Sequence, residues 1–124
     1  MKIIYGDDKT EKYCNDLKAA TKLFGGNKQL AVSLSSRINA IDSADTLMDI
    51  IKMPTFHFHS LKKKNGKDLK GYYAIDVKSR REPWRIILKP LDDNENAFKS
   101  TDSIDQIAGA VRIVEITEVS NHYE

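Results

Sequence analysis

Apolar residues keep a helical spacing as far as Pro54 and an alternating one after it, so the chain reads as a helical part followed by a stranded part. One short strand precedes both. Lys2-Ile3-Ile4-Tyr5 is β-prone and ends at Gly6-Asp7-Asp8, where Asp7 or Asp8 can cap a helix. From Lys9 onward, Tyr13, Leu17, Ala20 and Phe24 recur at intervals of four, three and four, which predicts one helix with its stop at Gly25-Gly26. Asn27 is placed to cap a second helix with the stripe Leu30, Leu34, Ile38 and Ile41, leaving Lys28, Arg37 and Asn39 in water. A short third helix is expected from Ser43 or Asp45 through Leu47, Ile50 and Ile51, and Pro54 stops it.

Past Pro54, Phe56, Phe58 and Ser60 share one face of a predicted strand, and His57, His59 and Leu61 share the other. Lys62 to Asp68 holds the Asn65-Gly66 pair of a hairpin turn. Further strands are predicted over Gly71 to Val77 and over Trp84 to Leu88, with Pro90 ending the latter. Asp92 to Ser103 is polar and unpatterned, Ile104 to Ala110 is a helical turn, and Val111 to Ile116 is a last strand. This order predicts one α+β domain with an antiparallel meander. A helical hairpin is expected to cover one sheet face and to leave the other open for a ligand.

Composition narrows the setting. With 124 residues, 40% of them hydrophobic, the chain can build one core without cross-links. The single cysteine, Cys14, excludes an internal disulfide or a thiolate metal cluster and fits a reducing compartment, so a cytoplasmic protein is expected. Met1 to Asp8 turns acidic before the apolar core of a secretion signal could form, and no run approaches the roughly 18 apolar residues of a membrane span. Charge is unevenly spread. Residues 1 to 60 carry +1, residues 61 to 89 carry +7 from ten basic and three acidic side chains, and residues 90 to 124 carry −6. A positive stretch in a chain of net charge +2 is the footprint of a polyanion-binding surface; the plain alternative is a solvated lysine-rich hairpin.

Three segments then carry a likeness. His59-Ser60-Leu61-Lys62, Leu69-Lys70-Gly71-Tyr72-Tyr73-Ala74-Ile75-Asp76-Val77 and Trp84-Arg85-Ile86-Ile87-Leu88, in that order, resemble the middle of HigB-type toxins of the RelE/ParE superfamily, and Val114-Glu115-Ile116 to His122-Tyr123-Glu124 resembles their terminal strand. The resemblance spans nearly the whole chain. It implies a RelE-like antiparallel sheet with an N-terminal helical hairpin on one face. It also implies the toxin of a type II toxin-antitoxin system, a ribosome-dependent mRNA endonuclease (mRNA interferase) that stops translation and growth. The implied partner is a HigA-like helix-turn-helix antitoxin, in a heterotetramer. This chain departs from the pattern in a longer loop from Lys63 to Leu69, in Glu82-Pro83 before Trp84, and in an insertion from Asp92 to Ala110.

RNA cleavage by the 2′-hydroxyl needs a base, an acid and a cation, and the absence of carboxylate or His/Asp patterns with metal spacing favours a route without metal or cofactor. Arg85 is the candidate for transition-state charge, since a guanidinium grips phosphate oxygens in pairs; if Trp84 enters the core, alternation sends Arg85 to the open face. His59, at a strand end before the basic loop, is a candidate base or acid, and His57 is read as structural. His122 and Tyr123 are candidates for proton donation or base stacking because the resemblance places such groups at this terminus. Lys62, Lys63, Lys64, Lys70, Arg80 and Arg81 are expected on the RNA or ribosomal RNA backbone, with Tyr73 stacking on a base. Of Tyr72 and Tyr73, one should face the core and the other solvent. Two other functions fit the same charge pattern: a ParE-like gyrase inhibitor and a noncatalytic nucleic-acid-binding protein.

Overall fold

The computed structural model describes residues 1–61, 69–99 and 102–123. Lys62, Lys63 and Lys64 therefore lie outside the described residues. Strand β1 (Lys2–Tyr5) leads into helices α1 (Asp8–Asn15), α2 (Leu17–Leu23), α3 (Lys28–Ser43) and α4 (Leu47–Ile51). Strands β2 (His59–Ser60), β3 (Tyr73–Asp76) and β4 (Arg85–Leu91) follow, then helix α5 (Ile104–Ile107) and strand β5 (Ile113–Ser120). The fold is α+β.

The expected first helix is two helices. Its apolar interval runs on through Leu17, but Asp16 adopts an extended backbone and caps α2, its carboxylate accepting from the N–H groups of Lys18 (2.9 Å) and Ala19 (3.3 Å). An aspartate that bonds forward to backbone N–H groups competes with helix continuation, and Leu17 is left 43% exposed. The stop at Gly25-Gly26 has the expected form. Both glycines have positive φ, and the Gly26 and Gly25 N–H groups close back on the carbonyls of Thr21 and Lys22. Asn27 caps α3 by accepting from Leu30 N–H at 3.1 Å. α4 starts later than read from the sequence, with Thr46 as its cap, because the Asp49 carboxylate reaches back to the N–H groups of Asp45 and Thr46.

The five strands form one sheet in the order β1-β5-β4-β3-β2. β2, β3 and β4 are the expected antiparallel meander, and β5 runs antiparallel to β4. β1, however, pairs parallel with β5, so the sheet is mixed rather than wholly antiparallel. The strand expected over Phe56 to Leu61 shrinks to His59–Ser60, because Pro54–Phe56 forms a 3-10 turn and His57 takes a left-handed backbone with φ 50°. Pro90 does not end β4. Pairing between β3 and β4 begins at Leu88, and beyond it β4 meets on that side only an isolated bridge from Leu91 to Ala97, so Pro90 lies outside the β3 ladder, where a missing N–H is tolerated.

The helices cover one sheet face. Leu34, Ile41, Leu47 and Ile50 pack on Ile75, Ile86, Leu88, Val114 and Ile116, all essentially solvent-free. Each such side chain contributes roughly 1.5–3 kcal/mol through burial. Phe24, at the end of α2, meets Trp84 edge-on with centroids 4.9 Å apart, which ties the turn before β4 to the helical layer. Trp84 thus faces the helices, and alternation assigns Ala74, Asp76, Arg85, Ile87, Lys89, Ile113, Glu115 and Glu118 to the other face. That face is not bare. Ala74, Asp76, Arg85, Ile87 and Ile113 are all buried there, so side chains and turns close over much of it. No helix among the described residues is long and apolar enough to cross a membrane.

Candidate functional site

Register places His59 opposite Ala74, Ala74 opposite Ile87, and Ile87 opposite Glu118. These four side chains form one row across β2, β3, β4 and β5, about 14 Å wide at the backbone. Ala74 and Ile87, in the middle of the row, are buried, so its exposed groups lie at the two ends. A second row holds Asp76 and Arg85, and Lys89 pairs with Glu115 in a third.

At one end, two histidines are fixed by the left-handed turn at His57. The His59 Nδ1 lies 2.7 Å from the His57 carbonyl oxygen. A carbonyl can only accept, so Nδ1 carries the proton and Nε2 is the basic nitrogen of the neutral ring. The two rings lie with centroids 4.5 Å apart at 30°. His57 Nδ1 is 3.3 Å from Asp76 Oδ1, so the ring sequence read as merely structural belongs to the same constellation.

Arg85 does not reach the open face as expected from its alternation with Trp84. It is 7% exposed, and its guanidinium donates to the carbonyls of Glu82, Trp84 and Arg80 in the turn before β4. Its Nε sits 3.2 Å from Asp76 Oδ1 without a well-directed hydrogen bond. Burial with three carbonyls and a carboxylate makes it a structural pin, so the transition-state role expected of Arg85 is withdrawn. Arg37 is likewise not left in water. Its guanidinium lies 4.1 Å over the Phe56 ring and donates to the carbonyls of Asp76, Thr55 and Lys78, joining α3 to the 3-10 turn and the end of β3. Burial lowers its pKa, and the Asp76 charge partly restores it.

At the other end of the row, Tyr123 is half-buried and hydrogen-bonds Glu118. That bond, with burial and the Glu118 charge, pushes the phenol up to about 12, and the ring is close enough to Tyr72 for their charges to interact. Tyr123 is therefore tied back to the sheet as a protonated donor. His122 is exposed, its backbone N–H on the Ser120 hydroxyl at 3.1 Å. The tyrosine pair divides between the two faces as expected, but Tyr72 rather than Tyr73 is on the site side. Tyr73 faces the helices, stacked on Phe58 with centroids 5.0 Å apart, and Tyr72 faces the site beneath the Lys89 ammonium at 5.3 Å. Tyr73 as the stacking residue of this face is thus replaced by Tyr72. Lys70, Arg80 and Arg81 are exposed on the segments flanking β3.

The face therefore gathers His57, His59, Asp76, Tyr72, Lys89, Glu118 and Tyr123. Sequence reasoning passed over Asp76 and Lys89 and left Tyr72 as the alternative to Tyr73; placing Lys89 on this face needs the pairing of β4 with β3. Among the described residues, no group of three or more His, Cys, Asp or Glu side chains is placed to hold a metal ion. Compared with known proteins, the chain matches no family model, no curated protein and no solved structure.

Proposed function

We propose that this chain is a HigB/RelE-type toxin, an endoribonuclease that cuts mRNA at the ribosome without a metal and is held in check by a helix-turn-helix antitoxin. The observation that carries the reading is the row with His59 at one end and Tyr123 at the other, on a sheet whose strand β3 is flanked by the exposed Lys70, Arg80 and Arg81. A base and an acid on opposite sides of a phosphodiester are what 2′-hydroxyl attack requires.

In this mechanism His59 Nε2 takes the 2′-hydroxyl proton, and the 2′-oxygen attacks the neighbouring phosphorus. Lys89, held over the Tyr72 ring, offsets charge on the non-bridging oxygens. Tyr123 gives its proton to the departing 5′-oxygen, leaving a 2′,3′-cyclic phosphate and a 5′-hydroxyl. Asp76 and His57 position His59 through the His57 carbonyl rather than by touching RNA. Lys70, Arg80 and Arg81 hold phosphates, so binding weakens steeply with salt.

The test is induced expression in bacteria, with and without the adjacent antitoxin gene, followed by mapping of mRNA 5′ ends. The expected result is growth arrest with new 5′-hydroxyl ends inside coding regions, absent in the His59→Ala variant. Arrest with intact mRNA overturns the nuclease reading in favour of gyrase inhibition, and RNA binding without arrest favours a noncatalytic binder.

A further inference from the structure

The insertion after β4 builds something the sheet does not need. Between it and the start of β3 lies a cavity of about 520 Å³, within the size range of small-molecule sites. Its wall is apolar and half-buried, made by Phe98, Ile104 and Ile107 of the insertion against Tyr73. Lys70, Lys89 and Lys99 are the basic residues of its lining, and Asp102 is the acidic one. Tyr72 and Lys89 line it too, so at the sheet edge the cavity shares two residues with the face that carries His59 and Tyr123.

An aromatic and branched-aliphatic wall with cationic side chains in the same lining is the chemistry that holds a planar base and its phosphate together. Either feature alone is common on protein surfaces, but a cavity of this volume lined by both apolar side chains and three lysines selects a nucleotide over a purely apolar ligand. We propose that this cavity takes one unpaired nucleotide of single-stranded RNA, with the base against Phe98 and Ile104 and the phosphate at Lys89 and Lys99. The proposal rests on the RNA-cleaving reading and deepens it. The insertion then sets which nucleotide is preferred beside the cut, whereas the His59 row would cut any sequence presented to it.

The probes are a labelled single-stranded heptaribonucleotide series differing at one position, and nucleoside 5′-monophosphates followed by amide chemical shifts. Phe98→Ala removes one wall, and Ile104→Trp fills the cavity; cooperative thermal unfolding reports whether each variant is folded. The expected result is binding weakened about ten-fold in both, loss of the preference at one position, and wild-type shift changes centred on Phe98, Ile104 and Ile107. Lys99→Glu should lower the salt slope by about one. Folded variants that bind and cut at the same positions as wild type overturn the pocket and leave the nuclease intact. A wild type that binds through the pocket but never cuts does the reverse. If neither variant folds, the wild-type titration decides: no shifts around Phe98 with monophosphates at millimolar concentration overturns the proposal.

Discussion

Asp76 Oδ1 is shared by Arg85 Nε at 3.2 Å and His57 Nδ1 at 3.3 Å, with the carboxylate 1% exposed. One buried charge thus anchors both the turn before β4 and the histidine turn before β2. Removing one partner of such a pair leaves an uncompensated charge, which costs about 3–5 kcal/mol. Asp76→Ala and Arg85→Ala should each lower stability by that order, read from the midpoint of urea unfolding. Arg85→Lys should not rescue, because an ammonium cannot serve three carbonyls and a carboxylate from the guanidinium's positions. Unfolding midpoints within error of wild type would show that the pin carries no load.

His59 gives the opposite pattern. Its ring is half-buried on a two-residue strand at the edge of the sheet, held by the His57 carbonyl and packed against the His57 ring, so replacement should lower the melting temperature far less than loss of Asp76 or Arg85. As the general base, it should account for about 10²–10⁴ of the cleavage rate. His59→Ala is therefore expected to fold and to lose cleavage. His57→Asn is the matching probe of positioning, since asparagine tolerates the left-handed backbone at φ 50°. It should lower the rate while keeping the pH profile of the wild type. Equal rates in His59→Ala and wild type would remove His59 from the mechanism.

How far the fold was legible follows from which interactions are local. The Gly25-Gly26 stop and the Asn27 cap involve residues within five positions of one another, and both were readable. Asp16 was readable in principle as a cap, but the apolar interval through Leu17 overrode it. The parallel pairing of β1 with β5 joins residues more than 100 positions apart, and no local pattern encodes it. The site divides the same way. His59 was singled out from its place before the basic loop, and the register puts it on the same face as Ala74. Arg85 was given the correct sheet face, yet its burial depends on Asp76 and on the turn carbonyls of Arg80, Glu82 and Trp84, which alternation alone does not supply.

Cys14 tests whether α1 is as firmly packed as its place in the core requires. It is 5% exposed, and burial pushes its thiol up to about 12. The thiolate is the reactive form, so at pH 8 only about one molecule in ten thousand carries it. Reaction with a thiol reagent should be very slow in the native protein and complete at once in denaturant. Fast labelling without denaturant would mean that α1 opens readily around the Asp16 break.

The Tyr123–Glu118 bond makes a prediction whose sign is fixed. The phenol's value in the fold lies near 12, above the ordinary 10, chiefly because its hydrogen bond to the Glu118 carboxylate would be lost on ionisation. The native state therefore holds this proton more tightly than the unfolded chain. The associated stabilisation is complete below pH 10 and disappears as pH rises through about 12. In a tyrosinate absorbance titration, Tyr123→Phe should remove a step at the alkaline end, and Glu118→Gln should move that step down toward 10. The chemistry follows the same sign. A donor protonated to about 12 imposes no fall in cleavage rate on the alkaline side of neutrality, whereas in Glu118→Gln a falling limb should enter at lower pH. Tyr123→Phe should lose most of the rate at every pH. If Tyr123→Phe cuts as fast as wild type, the proton for the 5′-oxygen comes from elsewhere, and the exposed His122 one residue before it becomes the group to replace next.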